Sequence, residues 1–360
     1  MIDPAEGVDL TTTATGNQVD AAVEGNLRLR STQRLEGAVK AGSDLTVHGW
    51  SPDTSVMSAA AGNSAQTAAT YGSLKSRADQ VIAPEGSVEA KAWVSAHPSS
   101  SGDTSVLAHA LGNVQQHAAE GRSAKVKAGQ YNYGSDTKAT GQVSLAHVKG
   151  SAGLTVAAGA NQLGVEAKTD KARVKSRQVA TGATQATADA YVKNGYLIDT
   201  LASAAANSIT LNHEGSTAKL KAEQESVGYV RAESLITTGE FGAANANAYG
   251  VGNTIAVSSI GEQLTLNTDQ LNTGGVDAVA EFDGGDGYDV GVSASAYGNA
   301  VSAFACSDCD AALDAKNQQV NGGDVSARAK VDLGGGGRSV RGTAQAVGNS
   351  AMYIVNKPKS

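Results

Sequence analysis

Large side chains are scarce in this chain. Aromatic residues make up 4% of its 360 positions, shared among 10 Tyr, 3 Phe and 2 Trp. So few bulky groups exclude a thick globular core and leave an interior thin enough for backbones to lie close together. Proline is rare, at 5 residues, which removes a common interruption of extended strands. Cysteine occurs twice, too seldom for the disulfide framework of a small secreted domain. No apolar run approaches the roughly 20 residues of a membrane-spanning helix. The opening MIDPAEGVDL has neither the basic nor the apolar region of a secretory signal, so a cytosolic protein, or a mature or trimmed form, is expected. A net charge of −7 argues against general nucleic-acid binding, and no nucleic acid is expected as a partner.

Chemical motifs are sparse as well. His48, His97, His109, His117, His147 and His213 show neither HxH nor HExxH spacing and read as surface or strand-lining residues, His109 and His117 near each other around one bend. No Ser-His-Asp set carries a recognisable elbow. The run Gly334 to Gly337 lacks the Lys-Ser/Thr of a phosphate loop and reads as a plain loop. Asp283, Asp286 and Asp289 in DGGDGYD resemble a calcium loop. Calcium-binding β-rolls repeat such a sequence at every turn, and here it occurs once, so a solvated loop is the better reading. No catalytic residue, cofactor or metal is expected.

What the chain has is a repeat. Asn17, Asn63, Asn113, Asn161, Asn207, Asn253, Asn299 and Asn349 follow stretches of small alternating residues, as in SASAYGNAVSA, at intervals of 46, 50, 48, 46, 46, 46 and 50 residues. Gln33, Gln80, Gln130, Gln178, Gln224, Gln270 and Gln319 form a second series, 16 to 20 residues after each Asn. A fixed period of this size means stacked or radially arranged units, with the whole of 1–360 forming one array and a partial repeat at each end.

Parity gives the faces. At two, four and six residues before each Gln stand small or aliphatic residues, such as Ala124, Val126 and Ala128, so these and the Gln face inward. The opposite parity carries Arg28, Arg30, Lys75, Arg77, Lys125, Lys127, Arg173, Lys175, Lys219 and Lys221 over five repeats. Stacked like charges repel, so these columns are a candidate face for an anionic polymer or acidic partner, against the plainer reading of a solvated strand face. The Asn and Gln series read as structural amide ladders, since a buried amide finds its partners in the copies above and below.

Each repeat reads as roughly four short strands without a helix. Its variable segments (HGWSPDTS, HPSSSGDTS, DGGDGYD, DLGGGG) are expected as loops on one edge. Two all-β architectures fit: an elongated parallel β-solenoid of about seven repeats, with two coils of about 23 residues in each as one possibility, and a seven-bladed β-propeller. Propeller blades pack through bulky residues, which this chain lacks, so the solenoid is preferred.

The stretches TTTATGNQVDAAVEG (Thr11 to Gly25) and LRLRSTQRLEGAV (Leu27 to Val39) resemble the holdfast-anchoring protein D family of stalked alphaproteobacteria, and the likeness extends through the repeats. It implies a secreted protein of the cell surface, associated with the outer membrane, that works with sister anchor proteins to attach an adhesive polysaccharide. The Asn and Gln markers are similar in kind to those of curlin subunits, which supports stacking and a self-assembling fibre as an alternative. Homo-oligomers through open solenoid ends are a further expectation. Cys306 and Cys309, in CSDC, read as a small disulfide closing a lengthened turn, with a reduced pair or half a zinc site as alternatives. A carbohydrate-active β-helix enzyme would concentrate unique acidic or basic residues at one spot, and the sequence shows no such concentration. An ice-binding solenoid would need exposed threonines where Lys and Arg stand. The reading is a non-enzymatic anchor.

Overall fold

The computed structural model describes residues 7–306 and 311–356, without the side chains of 97–100. Among the described residues every regular element is a strand: β1 (Val8–Glu24), β2 (Leu27–Leu35), β3 (Ala38–Thr46), β4 (Ser51–Ile82), β5 (Ser87–Asn132), β6 (Asp136–Ala180) and β7 (Ala183–Glu214), then β8 (Thr217–Ser226), β9 (Val230–Ile260), β10 (Gln263–Asn272), β11 (Val276–Cys306), β12 (Ala312–Asn321), β13 (Val325–Leu333) and β14 (Ser339–Asn356). All pairings are parallel, and each joins a residue to its equivalent one repeat away: Asn17 to Asn63, Asn63 to Asn113, Asn113 to Asn161. The fold is therefore the β-solenoid. A propeller blade would pair antiparallel strands within one repeat.

Each repeat makes one coil, not two of about 23 residues. The coil is flattened. An Asn-bearing strand such as residues 104–120 crosses the molecule, turns near Gly121, and returns as the Gln-bearing segment and the strand after it. Small residues let the two layers approach, and they enclose two separate cores. One lies between the residues before Asn, including Val106, Leu154 and Ile198, and the strands after Gln, including Val88 and Val230. The other lies between the residues after Asn, including Leu163 and Ile209, and the residues before Gln, including Val126 and Leu220.

The amides stand between these cores. Each Asn Nδ2 donates to the Asn Oδ1 of the following coil, at 2.8 Å in all seven steps. Each Gln Nε2 donates the other way, to the Gln Oε1 of the preceding coil, at 2.7–3.2 Å. The second hydrogen clips one layer to the other at every Gln of the series and at six of the eight Asn. Asn161 Nδ2 donates to Val179 O, and Gln178 Nε2 to Ser208 O. Both donors and the acceptor are thus used, as burial without water requires.

A parity switch makes room for the Asn. Inward residues are Val56, Ser58 and Ala60 before it, and Asn63, Ala65 and Thr67 after it. Gly62, at the switch, drops out of the Cα pairing, and a Cβ there would lie 2.7 Å from Gly112 O. This switch overturns one expectation. His109 lies on the outer parity and His117 on the inner one, 2% exposed, so the two do not meet around the bend.

His117 Nδ1 lies 2.7 Å from Thr67 Oγ1, and Nε2 lies 3.3 Å from Gln115 Oε1, which suits a neutral ring. Burial lowers its pKa from 6.5 to about 4, and lowers those of His109 and His213 as well. An unfolded chain takes up this proton near pH 6.5, whereas the folded chain resists until about pH 4. Stability from His117 is therefore whole above pH 6.5 and lost as pH falls towards 4, by about 3 kcal/mol. Urea midpoints at pH 7 and 4.5 should separate further in the wild type than in His117→Gln. Equal separations would place the acid sensitivity elsewhere.

The variable segments are a second correction. DGGDGYD lies within β11 and HPSSSGDTS within β5, extended and paired at most positions, where loops were expected. Inside the stack each bend has a copy above and below, so its backbone groups pair between coils while turning the corner. Only in the end coils do residues 47–50 and 334–338 leave the strands. For the same reason the short strands expected in each repeat merge, and β5 runs for 46 residues.

Candidate functional site

The residues before each Gln form a strand with Ala, Val or Leu inward and long cations outward. In-register stacking turns this alternation into two columns. Arg28, Lys75, Lys125, Arg173 and Lys219 are successive partners in one, and Arg30, Arg77, Lys127, Lys175 and Lys221 in the other. All ten are exposed. Beyond them the columns change to Thr265 and Asn267, then to Asp314 and Lys316. The rungs are about 4.8 Å apart and the columns about 6.6 Å.

Two cations per rung amount to one per about 2.4 Å of axis, close to the one charge per about 1.7 Å of duplex DNA. Neutralisation within the chain is slight. Arg77 lies 3.4 Å from Asp79 and Lys221 3.4 Å from Glu223, and among the described residues the other eight have no carboxylate within 4.0 Å. Between the columns runs a trough floored by Val126, Val174 and Leu220, with a hollow of about 240 Å³ at Lys125 to Lys221 and another of about 200 Å³ at Arg28 to Lys127. Ten of the 28 basic residues stand on this strip, which leaves 18 against 35 acidic side chains elsewhere. The strip is a short cationic rail on an otherwise acidic molecule.

The other candidates separate. Asp283 points to solvent on β11, Asp286 accepts from the Gly336 amide at 3.2 Å, and Asp289 pairs with Arg338. No group of three or more metal-binding side chains occurs among the described residues. Cys306 ends β11 in register with Ile260 and Asn356, while Cys309 lies outside the described residues.

Sequence reasoning missed one cluster. At the edge away from the cationic rail, His147, Asn194, Glu240 and Asp286 are successive partners in register, in a cleft of about 820 Å³ with Tyr196, Phe241 and Tyr288. They lie in segments of differing sequence, and their shared position emerges only when Asn-to-Asn intervals of 46 to 50 residues are aligned.

One protein-family model, described as holdfast attachment protein D, matches residues 2–275 and again 276–358. No curated protein and no solved structure matches the chain. The family match runs through nearly every coil, the cationic rail included, and by it this chain belongs to the holdfast attachment protein D family.

Proposed function

We propose that the chain is a non-enzymatic anchor of the cell surface whose cationic rail holds an anionic polymer. The observation that carries this reading is the pair of columns, five rungs long, with eight of ten cations lacking a carboxylate within 4.0 Å among the described residues. Such an alignment costs self-repulsion in the free protein, and a bound polyanion relieves it. Each contact is weak, and contacts on successive rungs sum by multivalency. The family's holdfast role supports an adhesive polysaccharide as the polymer and sister anchor proteins as neighbours, in a secreted protein associated with the outer membrane. The whole array acts as one stiff unit, since successive coils share every backbone ladder.

A second reading concerns assembly. Among the described residues β1 pairs only with β4, and β14 only with β11. The last strand also exposes Met352, Ile354 and Val355. Copies of the chain are candidates to stack on these edges.

The rail reading is tested by binding to polygalacturonate, a regular polyanion, across a salt series. Affinity should fall steeply and log-linearly between 50 and 200 mM salt, roughly as expected when several counterions are released. A salt-independent affinity, or none at low salt, would remove the rail from the binding surface.

A further inference from the structure

The cleft at the opposite edge is built from side chains that the rail does not use. Three positions in a row supply it. The first column is His147, Asn194, Glu240 and Asp286, and Asn194 Nδ2 lies 3.0 Å from His147 Nδ1. The Asn194 NH₂ can only donate, so in this contact His147 Nδ1 accepts and its Nε2 carries the hydrogen, directed to a ligand. The second column places Phe241 between Gly195 and Gly287. Phe241 is 5% exposed and meets Phe282 edge-on at 5.0 Å between centroids. A Cβ at Gly287 would stand 2.2 Å from the Phe241 ring, so the floor requires glycine there.

The third position carries the walls. Tyr196 is 71% exposed and Tyr288 63%, while Gly242 stands on the coil between them. A Cβ at Gly242 would lie 2.5 Å from Tyr196 O, so a side chain there would crowd the slot between the two rings. The cleft, at about 820 Å³, lies within the range that holds small ligands, with an apolar floor and a few convergent polar groups.

We propose that this cleft binds a neutral β-1,4-linked pyranose chain laid along the stacking axis. An extended chain of that linkage advances by close to one strand spacing, roughly 5 Å, per sugar. Its sugars alternate by a half-turn, so every second one presents the same C–H face. Tyr196 and Tyr288 are two coils apart, about 9.6 Å along the axis, and meet that two-sugar period. The hydroxyl edges then face a column that both donates and accepts: His147 and Asn194 supply hydrogens, and Glu240 and Asp286 accept them. Glu240 and Asp286 stand against Lys149 in the lining, so the cleft lacks the positive excess of the rail, which suits a neutral chain and separates the two sites chemically.

Calorimetric titration of the full chain with cellohexaose and with chitohexaose tests the assignment. Either hexamer should bind, and Tyr196→Ala and Tyr288→Ala should each weaken it at least tenfold. Tyr71→Ala, which removes an exposed ring from the other edge, should leave the affinity unchanged. The charge-reversed rail described below should also bind the hexamer as the wild type does, so failure of one site is distinguishable from failure of the other. Each tyrosine variant is checked by its thermal midpoint, since an exposed ring can be removed without unfolding. No binding of either hexamer at millimolar concentration would overturn the proposal, as would undiminished binding by both tyrosine variants. Preferential binding of polygalacturonate in the cleft would overturn it too.

Discussion

Replacing Gln178 by leucine is expected to destabilise the chain far more than the same change at Gln33. Gln178 donates to Gln130 Oε1 at 2.7 Å and to Ser208 O at 2.9 Å, and accepts from Gln224 Nε2 at 2.7 Å. Leucine removes all three bonds, so Gln130 Oε1, Ser208 O and one hydrogen of Gln224 Nε2 each lose that partner, at about 1–3 kcal/mol each before relaxation. Gln33 stands on the first coil, donates to Ser64 O and accepts only from Gln80. Its loss removes two bonds, one fewer than at Gln178. Chemical denaturation of both variants should give a gap of about 1–3 kcal/mol between them. Equal and negligible losses would mean that the ladder contributes nothing beyond packing.

The second large effect is functional. Reversing Lys75, Arg77, Lys125, Lys127, Arg173 and Lys175 to Glu is expected to abolish most adhesive retention while the solenoid persists. All six side chains are exposed, and their aliphatic stems cover only the trough. The change makes the rail anionic over three of its five rungs, so a polyanion meets repulsion where it had a summed attraction. Retention on cells carrying the folded variant is the measurement, beside a control reversing six scattered surface charges. Unchanged retention would reduce the rail to a solvated face and move the polymer to the coil ends or the bends.

Much of this architecture was legible in the sequence, for a physical reason. A parallel stack repeats its demands at each coil, so one alternation read in Leu74, Ser76 and Ala78 could be checked against Ala124, Val126 and Ala128. The outward parity of Lys125 and Lys127 followed from the same strand period. The number of coils per repeat was not legible. Asn113 and Gln130 alternate identically whether Gln130 lies above Asn113 or across from it, and only the cross-layer bond from Gln130 to Asn113 O places them face to face. The switch at Gly62 and Asn63 was also hidden, because two successive small or polar residues can face inward without disturbing composition. Position relative to that switch decides whether His109 or His117 is buried. The aromatic cleft was least visible. Its residues share a column but not a chemistry, and a repeat announces itself only where the side chains repeat.

The opposed directions of the two amide ladders bear on how long such a molecule can be. Every coil hands one hydrogen forward through its Asn and one backward through its Gln, so every internal coil presents the same pair of joints to its neighbours. Excising one whole coil brings Asn and Gln of the flanking coils into register and closes both lines without an orphan. Excising half a coil closes neither, and inverts the parity of one layer. Height along the stack is therefore counted in whole coils of 46 to 50 residues, and gene duplication or loss in that unit changes the reach of the protein without redesigning its interior.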